Sequence, residues 1–147
     1  MKINDALLGE HAVFYALFTH LEQTVPNANA PDLVKSQGAV LASGLASHAN
    51  LEEELLFKTL KKQIGSGGPL AVMRMEHEEI EQSPECLPGV KELDQARELL
   101  LHVVATAREH FAKEENILFP LASQTLSHDT MTDLSTQWAA HRAIFFE

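Results

Sequence analysis

Apolar positions recur at helical spacing from the start of the chain. Leu7, Leu8, Val13, Phe14, Leu17, Phe18 and Leu21 share one face of a 3.6-residue period. Asn4 is placed to cap this segment and Pro26 to stop it, so the pattern predicts a helix over about 5–24. Pro31 suits a first helical position, and the periodicity then continues to about Gln63, where "GSGG" at 65–68 interrupts it. Pro69 opens a third predicted helix reaching about Gln82, and "SPECLPG" at 83–89 reads as a loop with two prolines. A fourth helix is predicted from about Val90 to Ser123, and a short amphipathic fifth over about 133–146.

Short connections make consecutive helices antiparallel neighbours. The expected fold is therefore all-α, an antiparallel up-and-down four-helix bundle with a short C-terminal fifth helix. Composition agrees, since aromatics are only 6% while Ala, Leu and Glu are plentiful. At 147 residues one domain is expected over 1–147, with the bundle at about 5–124 and the tail helix at about 133–146.

Charge and cysteine content narrow the function classes. A net charge of −10, with no basic run, would repel a phosphate backbone, so no nucleic acid partner is expected. The single cysteine, Cys86, excludes an internal disulfide and a thiolate cage. In "MKINDALLGEHAVF" the charged residues break any apolar signal core, and no membrane span is read, so a cytoplasmic location is expected.

Polar residues set at matching places within the helices change this picture. "HANLEEELLF" at 48–57 and "HFAKEENILF" at 110–119 repeat one arrangement, in which a histidine is followed four positions later by the first of two acids. Four positions along a helix is about 40° of rotation and about 6 Å of rise, so His48 with Glu52, and His110 with Glu114, share a face. Glu53 and Glu115 lie about 100° further round and are expected to point elsewhere. The odd-numbered helices carry "GEHAVF" at 9–14 and "MEHEEI" at 75–80, so the chain looks like a duplicated helix pair.

His11, His48, His77 and His110 all fall near the midpoints of their predicted helices and so share one level of the bundle interior. Unpaired polar groups there would cost several kcal/mol, which a bound metal removes. Imidazole and carboxylate ligands without thiolate suit iron, manganese or zinc, and paired carboxylates in helical bundles hold two bridged ions. With Glu52 and Glu114 bridging and two histidines on each ion, an octahedral ion retains room for a bridging oxo or hydroxo group and an exogenous molecule.

These motifs, "EH" at 10–11, "HANLEEELLF" at 48–57, "EH" at 76–77 and "HFAKEENILFP" at 110–120, resemble those of the hemerythrin-like family, the HHE cation-binding domains. The resemblance covers about 5–124 and leaves the tail helix outside. It implies a non-haem di-iron centre of two iron ions, with His11, His48, Glu52, His77, His110 and Glu114 as metal ligands. The oxygen-carrying members place a second histidine four residues from the first on helix three and an aspartate five residues after the last histidine. Here Glu81 follows His77 by four, Met73 precedes it by four, and Glu114 sits at plus four. The pattern is nearer the symmetric branch that includes iron-sulfur repair proteins and iron sensors.

Tyr15, four positions after His11, is a candidate neighbour of the site, and Glu81 a candidate extra ligand. His20 is about 180° from His11 and expected to be exposed. His102, His128 and His141 are read as structural or solvated. Trp138, Phe145 and Phe146 are candidates to cover a bundle groove or to make a homodimer contact. The implied partner is a small molecule, oxygen, peroxide or nitric oxide, with iron sensing or donation as a further role of the same site. The alternatives are a non-catalytic helical interaction module with incidental metal binding and a reversible oxygen carrier.

Overall fold

The apolar stripes close against one another in four antiparallel helical arms, with a fifth helix packed on their outside, in a computed structural model that describes residues 1–145. The first arm is α1 (Ile3–Thr24). The second runs through α2 (Pro31–Glu52), a π turn (Glu53–Phe57) and α3 (Lys58–Ile64). The third is α4 (Pro69–Gln82), followed by a 3-10 segment (Ser83–Gly89). The fourth combines α5 (Leu93–Lys113), a second π turn (Glu114–Leu118) and α6 (Phe119–Thr125). The tail helix is α7 (His128–His141).

The second and fourth arms were expected to be unbroken α-helices, and the π turns are the main departure. Each takes up an extra residue in one turn. The effect is visible in burial: Leu55, Leu56 and Phe57 are consecutive yet 5%, 0% and 0% exposed. A regular helix would rotate one of the three toward solvent. "SPECLPG" is likewise more ordered than the loop expected, a 3-10 segment whose Leu87 is buried. That side chain occupies the space a Cβ would need at Gly38, which explains a glycine inside α2.

Two apolar clusters fill the bundle. One gathers Ile3, Leu7, Leu51, Leu56, Phe57, Leu70, Met73, Leu118 and Trp138 at one end, and the other gathers Phe18, Leu41, Leu45, Ile80, Leu100, Val104 and Phe111 at the other. In the first three arms the interior histidine lies between residues of the two, and in the fourth His110 sits beside Phe111 at the edge of the second.

The tail helix starts at His128, earlier than the expected 133, because Ser127 caps it through a hydrogen bond that its Oγ accepts from the Thr130 amide at 3.1 Å. Met131, Leu134 and Trp138 bury against α1 and the first π turn, so Trp138 covers a bundle groove. Phe145 is 85% exposed, and Phe146, the expected end of the helix, lies outside the described residues. Among the described residues no helix is long and apolar enough to cross a membrane.

The chain leaves α7 through Ala143, whose φ of 54° lies in the left-handed region, and the Ile144 amide closes the turn onto the Ala139 carbonyl at 2.8 Å. An L side chain there costs about 1 kcal/mol or more. Ala143→Gly is therefore expected to stabilise the protein by roughly 0.5–1 kcal/mol, raising the melting temperature by a few degrees. A lowered melting temperature would contradict this turn.

Candidate metal centre

His11 from α1, His48 from α2, His77 from α4 and His110 from α5 are each no more than 3% exposed. Helical spacing puts Glu52 and Glu114 one turn beyond His48 and His110, and both carboxylates are buried, at 1% and 0% exposure. All four Nε2 atoms face this carboxylate pair. Those of His11 and His110 lie 3.1 Å and 2.7 Å from Glu114, and that of His77 lies 3.2 Å from it. Glu52 Oε2 sits 3.7 Å from His48 Nε2 and 3.6 Å from His77 Nε2.

Two groups of buried ligand atoms result, His11–His48–Glu114 and His77–His110–Glu114, with Glu114 common to both. Glu52 lies near one histidine of each group. Both Glu52 oxygens, Glu114 Oε2 and His110 Nε2 have no hydrogen-bond partner among the described residues. Orphaned buried polar atoms of this kind cost about 1–3 kcal/mol each, more for charged groups. Hard oxygen and borderline imidazole donors converging without thiolate match what iron, manganese or zinc takes, so the residues fit the implied metals.

The electrostatics show the same unmet demand. Burial raises the Glu52 carboxyl, and the charge of Glu114 raises it further. Burial also acts to raise Glu114, but contacts with His11, His110 and His77 hold it well below the usual carboxylate range. Burial disfavours the charged form of His77, yet Glu114 and Glu52 outweigh it and carry its pKa up to about 10. The carboxylate pair thus favours positive charge beside it.

The outer nitrogens are as ordered as the inner ones. His11 Nδ1 donates to Glu115 at 2.9 Å, His48 Nδ1 to Glu10 at 2.6 Å, His77 Nδ1 to Glu53 at 3.0 Å and His110 Nδ1 to Glu76 at 2.8 Å. A carboxylate on Nδ1 fixes that tautomer and leaves the Nε2 lone pair aimed inward, the orientation a metal-ligating imidazole needs. Rings are also held by stacking: Phe111 on His11 with centroids 3.9 Å apart, and Phe57 on His77 at 5.2 Å.

Glu53 and Glu115 were expected to point elsewhere, and this is corrected. They leave the inner carboxylate pair but reach across to histidines of neighbouring helices, because the π turns widen the backbone at these acids. The signal was present in the doubled acids and in the acid before each odd-helix histidine, since Glu10 and Glu76 perform the same task for His48 and His110. Tyr15 donates to Glu115 at 2.9 Å, and burial together with that carboxylate pushes its phenol up to about 12. Glu81 is exposed, facing a groove with Lys35 and Pro84 rather than the cluster. His20, His102, His128 and His141 are exposed.

The family model for the hemerythrin HHE cation binding domain matches residues 2–122. The chain belongs to that family. A relative described as a DNA nickase, from Nostoc sp. (strain PCC 7120), is 26% identical over 147 residues, covering 97% of this chain. The chain spans only about 40% of that protein's length. No solved structure matches the chain. The matched residues include every histidine and carboxylate of the cluster, whereas α7 lies beyond them.

Removing the carboxylate behind a metal-bound imidazole typically costs 10–100-fold in metal affinity. Glu53→Ala and Glu115→Ala are expected to lower iron affinity by about that factor, and Glu52→Ala or Glu114→Ala by more. Chelator-competition titrations measure both, and unchanged affinity in the Glu53 and Glu115 variants would contradict the outer carboxylates' role.

Proposed function

We propose that this chain is a non-haem di-iron protein whose ligands are His11, His48, Glu52, His77, His110 and Glu114, and whose small-molecule partner is oxygen, peroxide or nitric oxide. The observation that carries this reading is the convergence of four oriented imidazoles on two buried carboxylates, three of whose four oxygens lack hydrogen-bond partners among the described residues. A non-catalytic interaction module gains nothing from such an interior. When bound, a di-iron pair supplies redox equivalents and exchangeable positions for a small molecule.

The chain's own residues hold and shield that site. Glu10, Glu53, Glu76 and Glu115 fix the imidazoles, while Phe57 and Phe111 flank them with apolar surface that excludes water. Glu52 and Glu114 lie between the two halves and are the groups that would hold both ions. The nicking of DNA that names the Nostoc relative is not carried over, since a chain with a net charge of −10 repels phosphate.

Purification without added metal is expected to give about two iron ions per chain. Leaving the buried carboxylates uncompensated costs about 3–5 kcal/mol, so chelation should lower the melting temperature by roughly 10 °C or more. Absent or mixed sub-stoichiometric metal, with no change on chelation, would favour the interaction-module reading.

The third arm presents His77 alone, because Met73 one turn earlier is apolar and Glu81 one turn later is exposed. Ligands are therefore balanced between the two halves, which supports oxidation or turnover over reversible carriage. Oxygen admitted to the anaerobic ferrous protein is expected to give a ferric spectrum that degassing does not reverse. Full recovery of the ferrous spectrum through repeated gas exchange would support the carrier instead.

A further inference from the structure

The two halves of the cluster repeat each other in ligands and in outer carboxylates, but not in what stands behind those carboxylates. Glu10, which holds His48, is itself held from α7 and the residue that follows it. Trp138 Nε1 donates to Glu10 Oε1 at 2.7 Å, Arg142 Nε donates to the same oxygen at 2.6 Å, and Arg142 Nη2 donates to Oε2 at 3.0 Å. Arg142 Nη1 also donates to Ser47 Oγ at 2.7 Å, tying down the residue before His48. In the other half, among the described residues, Glu76 has behind it only the amine of Lys113, whose side chain is 44% exposed, while Glu53 is 40% exposed. A guanidinium fork on both carboxylate oxygens fixes orientation, which a mobile ammonium does not.

We propose that Trp138 and Arg142 are positioning residues for the metal centre: by clamping Glu10, and through it His48, they make the His11–His48–Glu114 half the tighter of two unequal metal sites. The proposal rests on the dinuclear reading above. Because α7 lies outside the matched 2–122, the inequality comes from a C-terminal segment beyond the family match.

The test titrates metal-free full-length protein with cobalt(II) against a competing chelator, following the visible absorption of each bound ion. Wild type is expected to fill in two steps of different affinity. Arg142→Gln should weaken the first step about tenfold, shift its absorption band, and leave the second step unchanged. Trp138→Phe should do the same to a smaller degree, and Arg142→Lys should restore part of the loss. Arg142 is partly exposed, so its variants retain the bundle, and melting of the metal-free proteins checks this. Two equal steps in wild type, or variants whose two steps and bands match wild type, would overturn the proposal. Equal weakening of both steps, in proportion to a lower metal-free melting temperature, would also overturn it by showing a merely structural role. A wild-type protein that takes up no cobalt would instead overturn the dinuclear reading itself.

Discussion

Two carboxylates buried side by side in an apolar bundle are the constraint that organises this molecule. Glu52 and Glu114 sit at 1% and 0% exposure, between two clusters of aliphatic and aromatic side chains. Each would cost several kcal/mol to bury alone, and as like charges they oppose each other. Net stability for a domain of this size is only about 5–15 kcal/mol, so the pair cannot be left uncompensated. Imidazoles from four helices provide part of the compensation, and bound cations would provide the rest. The cluster is consequently a tie among all four arms as well as a site.

Placing the pair also dictates what surrounds it. An imidazole that offers Nε2 inward must deliver its Nδ1 proton to something, and water is excluded at this depth. Glu10, Glu53, Glu76 and Glu115 meet that need, each from a helix other than the one bearing its histidine. The acid preceding a histidine on α1 or α4 serves α2 or α5, and the second acid of each doubled pair continues in the same direction, Glu53 to α4 and Glu115 back to α1. The duplicated pattern in the chain is thus a duplicated hydrogen-bonding scheme, in which every helix both lends and receives a carboxylate.

Most of the fold was legible because helical periodicity is redundant: many apolar positions report the same face, and prolines and glycines mark the breaks. The inner histidines and glutamates were legible for a related reason, as polar residues recurring at matching midpoints have no place in an ordinary core. The π turns were hidden because one extra residue per turn barely disturbs a pattern sampled over two or three turns, even though the buried run Leu55–Leu56–Phe57 records it. That concealment caused the misreading of Glu53 and Glu115. The contact of Arg142 with Glu10 spans 132 positions and belongs to no repeat, so nothing in the periodicity could announce it.

The outer ring, rather than the ligands, is where this chain has an individual character. Exchanging the two halves would return the same imidazoles and inner carboxylates, but Tyr15 backs Glu115 in one half whereas its counterpart Glu81 is exposed in the other. Glu10 is held down at about 2 because hydrogen bonds from His48, Arg142 and Trp138 overcome the upward push of burial. Glu53 stands 40% open to solvent at the opposite corner. An imidazole whose carboxylate is rigid and charge-balanced keeps one orientation, while one whose carboxylate is hydrated can follow solvent motion. Chemistry that needs one firm anchor and one yielding position would find both within a single cluster, and the difference is made by side chains outside the inner imidazoles and carboxylates.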